Sequence, residues 1–145
     1  MQTFLPYSDF SKSAACLDDK RLGKQRVECL QLLGTNLLGH PGWKNHPCAV
    51  MWHGYNDHLI DYGVAICREW RRRGFRDEVL ERLQWHKSEY PGPRPPWLGD
   101  SRLHHSHQSN LLRKNPTWYG RFGWTVPDNL SYFWPGKHYV RSDHV

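Results

Sequence analysis

The sequence predicts an all-α fold, a compact single-domain bundle of about three to four helices spanning residues 1–145, with an ordered, aromatic-rich C-terminal segment. Three observations lead to this prediction. Apolar residues recur at three- and four-residue spacing in several segments, whereas the alternation typical of half-buried strands is scarce. The chain has 145 residues, which is the length of one ordinary domain. A domain of this size buries roughly two-thirds of its unfolded surface, so it needs no disulfide or metal to fold.

The first predicted helix follows a short N-terminal arm and extends from Leu17 to Leu33. Its apolar residues form a rough stripe, and its basic residues project in other directions. The stripe consists of Leu17, Leu22, Cys29, Leu30 and Leu33. We expect Gly34 to end this helix as a left-handed cap.

The clearest helical pattern extends from about Pro47 to Arg73. Proline suits the first turn of a helix, Gly74 suits its end, and basic residues in the last turn complement the helix dipole. A third helix is predicted from about Asp77 to Ser88, after a short turn.

The proline-rich segment PGPRPPW, residues 91–97, predicts an extended and irregular connection, because successive prolines exclude helix. A fourth helix is predicted from Leu103 to Lys114 and should end before Pro116. From Thr117 onward the chain combines aromatic residues with glycine and proline, which indicates an ordered loop packed on the helices.

The composition favours a nucleic acid as partner. Lys and Arg number 20 against 14 acidic residues, which gives a net charge of +6. Such a surplus favours polyanions, although the needs of solubility also explain a charge of this size. Eight Trp and seven Tyr exceed what so small a core requires. Most of these rings are expected in the core, but rings beside basic residues also stack against displaced bases.

Cysteine usage and hydropathy indicate a reducing, cytoplasmic setting. The four cysteines are far apart, and Cys16, Cys29 and Cys67 fall in helical patterns that suit small buried residues better than disulfides. The opening residues MQTFLPYSDF lack the features of a signal peptide. No apolar run approaches 18 residues, so no membrane span is predicted.

Common enzyme signatures are absent from the sequence: there is no G-x-S-x-G, no glycine-rich phosphate loop and no H-E-x-x-H. The HHSH cluster of His104, His105 and His107 raises the possibility of a metal site. Neighbouring side chains on a helix point in different directions, however, and no Cys or carboxylate completes a four-ligand set. We therefore expect no metal and no cofactor. Contacts to phosphate or to the protein's own backbone are expected from His104, His105, Ser106, His107, Ser109 and Asn110.

The segment LDDKRLGKQRVECLQLL, residues 17–33, contains a carboxylate within a basic helix. Glu28 lies one turn after Lys24 and near Arg21. Taken alone, this pattern is best explained as a solvated ion pair between Lys24 and Glu28, worth roughly a few tenths of a kcal/mol.

Three blocks of sequence are distributed along most of the chain: RLGKQRVECL at 21–30, AICREWRRRGF at 65–75 and KNPTWYGRFG at 114–123. In this order they resemble pyrimidine-dimer DNA glycosylases of the phage endonuclease V type. The first is similar to the family's second-helix motif, in which a leucine precedes the catalytic glutamate by six residues, as Leu22 precedes Glu28. The second resembles the family's long helix ending in a basic residue, Gly and Phe, and the third its K-x-P-T-W-Y-x-x-x-G segment. The opening residues MQTFLPY are similar to those of a bacterial and phage branch of this family.

The resemblance implies a DNA repair enzyme that excises damaged, dimerised pyrimidines and then cuts the strand 3′ to the abasic sugar. In this family the nucleophile is the α-amine of the chain, which attacks the sugar C1′ and forms a Schiff base. An α-amine has a pKa of about 7.7–8.0, so a useful fraction is neutral at physiological pH. The essential carboxylate implied by the resemblance is Glu28, which stabilises positive charge on the sugar and moves protons. Neither step uses a metal or a cofactor.

Two positions depart from the family pattern. Gln2 follows Met1, where the family has a small residue that allows removal of the initiator. A residue as large as Gln2 normally preserves Met1. Either Met1 supplies the amine or the nucleophile differs, so Met1 and Gln2 are both candidates. Val27 replaces the arginine that commonly precedes the glutamate, and Arg26 is expected to reach the same phosphate.

The expected partner is double-stranded DNA with damaged pyrimidines, bound by a monomer associated with the nucleoid of a bacterial or phage-infected cell. Predicted contacts are Arg21, Lys24, Arg26, His107, Arg113 and Lys114, with Trp118 and Tyr119 in the lesion-recognition segment. Other interpretations remain open. Trp118 and Tyr119 also fit an aromatic plug over the core, and the protein as a whole also fits a non-catalytic module for kinked DNA or a glycosylase for other modified pyrimidines.

Overall fold

The computed structural model describes residues 1–89 and 92–141, and within these residues it contains helices and loops but no strand. The predicted all-α class is confirmed for this part of the chain. More helices are present than the sequence predicts, because several are very short. They are α1 (Phe10–Cys16), α2 (Asp19–Leu38), α3 (Pro47–Trp52), α4 (Asn56–Arg72), α5 (Leu80–Trp85), α6 (Ser101–Lys114) and α7 (Pro116–Tyr119), followed by a 3-10 turn at Gly120–Phe122.

Helix α1 lies in the segment that the sequence analysis treats as an arm. Its N-cap is Asp9, whose side chain accepts a hydrogen bond of 2.8 Å from the backbone N–H of Lys12. Such a cap satisfies one of the amide groups that a helix leaves without a partner at its start. With seven residues, α1 is too short to show helical periodicity.

Helix α2 continues to Leu38, one turn beyond the predicted end. Gly39, with φ of 74°, is the left-handed cap, and the prediction of a cap at Gly34 is therefore wrong. Gly34 lies inside the helix and is needed for a different reason. A Cβ at this position would lie 2.9 Å from the His40 Nδ1 atom.

The predicted helix from Pro47 to Arg73 is two helices, α3 and α4, separated by a turn at residues 53–55. Gly54 permits this turn with φ of 89°, a conformation that other residues rarely adopt. The apolar periodicity runs across the break because both helices bury their apolar side chains in the same core.

The later helices also differ from prediction at their ends. Helix α5 is shorter than the predicted Asp77–Ser88, because Asp77 precedes the helix and accepts hydrogen bonds from the backbone N–H groups of Val79 and Leu80. Helix α6 begins two residues before Leu103 and is capped by Asp100. Helix α7 lies in the region predicted as loop. Of the proline-rich segment, Pro91 lies outside the described residues.

Helix α4 is the centre of the packing and contacts α1, α2 and α5. The closest approach occurs at Gly63, where a Cβ would lie 2.6 Å from Leu83 Cδ1 and 3.2 Å from Cys29 Cβ. All four cysteines are buried and free, which confirms the prediction that Cys16, Cys29 and Cys67 act as small core residues. No helix in residues 1–89 or 92–141 has the length and apolar character that a membrane crossing requires.

Candidate active site

The first residues of the chain are extended and lie inside the protein, where side chains of three helices bind their backbone. Gln2, Thr3, Phe4 and Leu5 are all buried. The Phe4 N–H donates to Gln25 Oε1 at 3.0 Å, and the Tyr62 hydroxyl donates to the Phe4 carbonyl at 2.7 Å. Buried backbone groups are costly without partners, so these side chains fix the position of what we call the N-terminal segment, residues 1–5.

Two histidines of α6 hold Leu5. Its N–H donates to His107 Nδ1 at 2.8 Å, and its carbonyl lies 2.8 Å from His104 Nδ1. The Nε2 atom of His104 accepts from the Gly99 N–H at 2.9 Å, so the neutral ring carries its proton on Nδ1 and donates it to Leu5. Burial lowers the pKa of both imidazoles, to about 3 for His107. Both rings are therefore neutral at physiological pH.

Gln25 joins the N-terminal segment to the carboxylate of Glu28. Its Nε2 donates to the Gln2 carbonyl at 2.7 Å and to Glu28 Oε2 at 3.0 Å, and its Oε1 also accepts from the Tyr62 hydroxyl at 2.8 Å. The Gln2 N–H donates to the same carboxylate oxygen at 3.4 Å. Sequence reasoning missed Gln25. The available signal was an uncharged polar residue three positions before Glu28, on the buried side of α2.

Glu28 is not the solvated ion-pair partner that its sequence context suggests. Its side chain is 10% exposed, whereas that of Lys24 is 73% exposed, and Lys24 Nζ lies 3.7 Å from Oε1. One carboxylate oxygen thus binds buried donors, and the other lies near an exposed surface cation. A buried carboxylate beside the start of the chain is suited to stabilise positive charge that develops there.

His46 is a further titratable group at this place. Burial lowers its pKa, and the positive charge of the α-amino group lowers it further, while Glu28 acts in the opposite direction. His46 therefore lies within electrostatic reach of both the α-amino group and Glu28. His46 also caps α3, because its Nδ1 accepts from the Cys48 N–H at 3.0 Å. Sequence reasoning gave His46 no role.

Basic side chains of α2 and α6 lie close to one another. Lys114 is exposed, yet its pKa is lowered, first by partial burial and then by three neighbouring cations, Arg21, Arg113 and Lys24. We call these four residues the basic cluster. Like charges repel when they are held together, so such a cluster favours a polyanion on this surface.

A family model described as pyrimidine dimer DNA glycosylase matches residues 1–81. This range is more than half of the chain and includes the N-terminal segment, Gln25 and Glu28. The chain belongs to the pyrimidine dimer DNA glycosylase family. The predicted family is thereby confirmed, and membership implies that the protein binds DNA. No curated protein and no solved structure matches the chain. The block KNPTWYGRFG at 114–123 lies beyond the matched range.

Two of the predicted DNA contacts are buried in this structure. His107 is fully buried and holds Leu5. Of the two contacts predicted for the HHSH histidines, with phosphate or with the protein's own backbone, His107 makes the one with the backbone. Tyr119 is also fully buried, with its hydroxyl hydrogen-bonded to Asp18. A ring without exposed surface contacts no DNA, and Tyr119 instead belongs to the aromatic plug over the core.

Arg26 belongs to an ion pair within the protein. Its Nη1 lies 2.6 Å from Oδ1 of Asp77, whose side chain is fully buried, and its guanidinium lies 4.7 Å from the ring centroid of Trp70. Its contact with the phosphate that the family's arginine reaches stays a prediction.

Trp118 is half-buried and partly engaged within the protein. Its indole N–H donates to the Cys16 carbonyl at 2.8 Å, and the Arg121 guanidinium lies 4.1 Å from its ring centroid. Its contact with a lesion stays a prediction. As for metals, residues 1–89 and 92–141 contain no group of three or more His, Cys, Asp or Glu side chains arranged to hold an ion.

Proposed function

We propose that the protein excises damaged, dimerised pyrimidines from double-stranded DNA through its N-terminal α-amine and then cleaves the abasic strand as a lyase. The observation that carries this proposal is the buried Glu28 carboxylate, which accepts hydrogen bonds from the Gln2 N–H and from Gln25 beside the start of the chain. The reaction needs an amine and a carboxylate at one place, and these two groups belong to the range that matches the family.

The chemistry runs in two stages. The neutral α-amine attacks C1′, the N–C1′ bond forms, and the base leaves with the electron pair of the glycosidic bond. The sugar ring then opens to a Schiff base, in which the iminium withdraws electrons from C2′. Loss of a C2′ proton expels the 3′ phosphate and cuts the strand. Glu28 stabilises the cationic sugar in the first stage and accepts a proton in the second.

Two nitrogens compete for the role of nucleophile. Met1 is half-buried and packs against the core, and the size of Gln2 favours its retention, so we propose the Met1 amine for the unprocessed chain. Removal of Met1 would convert the Gln2 nitrogen, 3.4 Å from Glu28 Oε2, into the α-amine. In the first version the amine lies one residue before the nitrogen that donates to Glu28, and in the second it is that nitrogen.

The basic cluster supplies the phosphate contacts in this proposal. Its member Lys24 lies 3.7 Å from Glu28 Oε1, and Arg21 also pairs with Asp18 at 3.2 Å. No residue role in this scheme needs a metal or a cofactor, so we expect full activity in EDTA.

The decisive experiment is borohydride trapping on ultraviolet-irradiated duplex DNA, followed by mass spectrometry of the linked peptide. We expect an adduct on the α-amine of Met1 or Gln2, which also identifies the nucleophile. Glu28→Gln is the matched control, because it keeps the side-chain shape but removes the charge. Absence of any adduct across lesion-containing and modified-base duplexes would refute the proposal.

A non-catalytic module for kinked or damaged DNA is the second candidate. The observation in its favour is that Arg26, the arginine nearest to Glu28 in sequence, is paired with Asp77. Under this alternative, cells that carry Glu28→Gln survive ultraviolet light as well as those with the unaltered protein. A panel of duplexes with other modified pyrimidines tests whether the same chemistry acts on a different base.

A further inference from the structure

Gln2 carries a side-chain amide that the proposed mechanism does not use. The residue is 6% exposed, and its Oε1 accepts a hydrogen bond of 2.9 Å from the Thr3 N–H. Its Nε2 is buried and has no hydrogen-bond partner among residues 1–89 and 92–141. A buried polar group without a partner is uncommon in proteins and costs free energy, which indicates that this amide has a reactivity of its own.

The backbone of Gln2 is held by two side chains of the candidate active site. Its carbonyl accepts from Gln25 Nε2 at 2.7 Å, and its N–H donates to Glu28 Oε2 at 3.4 Å. If Met1 is removed, the nitrogen beside Glu28 becomes an amine, and a carboxylate at this distance is suited to accept a proton from it.

Glutamine at the start of a chain can react with itself. Its α-amine attacks the side-chain Cδ, and the product is an unstrained five-membered ring. The N–Cδ bond forms, the Cδ–Nε2 bond breaks, and the proton that the amine loses is balanced by the one that the departing ammonia gains. Glutamine thus becomes pyroglutamate without an oxidant, a reductant or a second reactant. The ring nitrogen is an amide, whose electron pair is delocalised into the carbonyl group, so it forms no Schiff base.

The contacts of Gln2 favour each part of this reaction. The Thr3 N–H donates to the oxygen on which negative charge develops during the attack, as the donor of an oxyanion hole does. Glu28 lies beside the attacking nitrogen. The leaving nitrogen is held by no hydrogen bond within the part of the chain that the structure describes. The groups that would make a Gln2 amine reactive toward C1′ therefore also make it reactive toward its own side chain.

We propose that Gln2 is a modification site, at which removal of Met1 leads to pyroglutamate formation promoted by the fold and so to loss of the nucleophile. The working nucleophile is then the amine of Met1, which is half-buried and packs against the core. This inference rests on the proposed function and decides between the two nitrogens considered there. Retention of Met1 protects the enzyme, because it keeps the Gln2 nitrogen in a peptide bond.

The test compares the full chain with a chain that begins at Gln2, released from an N-terminal ubiquitin fusion by a deubiquitinating protease. Mass spectrometry of the N-terminal peptide should show Met1 intact in the full chain and loss of one ammonia from Gln2 in the shortened chain. We expect this loss to be at least about 100-fold faster in the folded shortened chain than in urea, the lower end of what a positioned proton-transfer group contributes. Borohydride trapping on irradiated duplex should fall in proportion to the cyclised fraction.

Two variants of the shortened chain, each checked for folding by circular dichroism, serve as controls. Gln2→Asn removes one methylene, so the same attack would need a strained four-membered ring, and its N-terminal peptide should keep its mass. Glu28→Gln keeps the side-chain shape but removes the proton acceptor, and its cyclisation should slow to the rate found in urea.

The mass of the N-terminal peptide is measured without DNA, so the inference and the proposed function fail separately. A Gln2 that keeps its ammonia in the folded shortened chain, or loses it with a smaller acceleration, would overturn the inference and leave trapping by the full chain intact. Absence of trapping by the full chain would overturn the proposed function, while the peptide mass would still report whether Gln2 cyclises.

Discussion

Replacing Gln25 with methionine tests whether side chains hold the N-terminal segment. Gln25 is 1% exposed, and methionine is similar in length but cannot donate or accept the same hydrogen bonds. The Phe4 N–H and the Gln2 carbonyl lose the Gln25 bonds described above, while Tyr62 keeps its bond to the Phe4 carbonyl. Each buried group left without a partner costs about 1–3 kcal/mol.

For Gln25→Met we therefore expect the free energy of unfolding to fall by about 2–6 kcal/mol, a large part of the about 5–15 kcal/mol typical of a domain. Urea titration measures this loss, and hydrogen exchange at the Phe4 amide should accelerate by the corresponding factor. Gln31, exposed on the same helix, provides the control: Gln31→Met should change stability by no more than about 0.5 kcal/mol. A loss below about 1 kcal/mol for Gln25→Met would show that this residue does not support the segment.

Three further predictions concern acid stability, phosphate contact and catalysis. The folded pKa of about 3 for His107 lies below the unfolded value of about 6.5, so the unfolded chain binds the extra proton. The free energy of unfolding therefore falls as pH drops from about 6.5 to 3, by up to about 5 kcal/mol. Urea titrations at several pH values should show a shallower fall for His107→Asn, and parallel curves for the two proteins would contradict the assignment. Lys114→Ala should reduce the salt slope of duplex binding by about 0.9, whereas Lys87→Ala, which removes a lysine paired with Asp61, should leave it unchanged; equal slopes for both would exclude the phosphate contact. Glu28→Gln should bind damaged duplex normally but cleave the glycosidic bond at least about 100-fold more slowly in single-turnover assays. A rate near that of the unaltered protein would remove Glu28 from the mechanism.

The sequence predicted the longer helices because they repeat their apolar residues over several turns. Helices α2, α4 and α6 have 20, 17 and 14 residues, which is enough for a periodic pattern. Helices α1, α3 and α7 have between four and seven residues and give no such pattern. The break between α3 and α4 escaped detection because a shared core keeps the apolar spacing almost continuous across it.

The candidate site was predicted less completely than the fold. Glu28 was found through the spacing of its motif, but the same sequence gave no sign that its carboxylate is buried. His107 and Tyr119 were assigned to DNA because residue type does not distinguish a polar side chain that satisfies a buried partner from one that faces solvent. The partners of His107 and Tyr119 lie 102 and 101 residues away in sequence, beyond any local pattern.

The attachment of Leu5 to His104 and His107 has a consequence for synthesis. These partners are 99 and 102 residues away along the chain. Leu5 is therefore synthesised early but forms these hydrogen bonds late. Closing so long a loop carries an entropic cost that only the finished contacts offset. Until α6 has formed, the N-terminal segment lacks the two histidine contacts that hold Leu5. Completion of the proposed active site therefore depends on a helix in the last third of the chain.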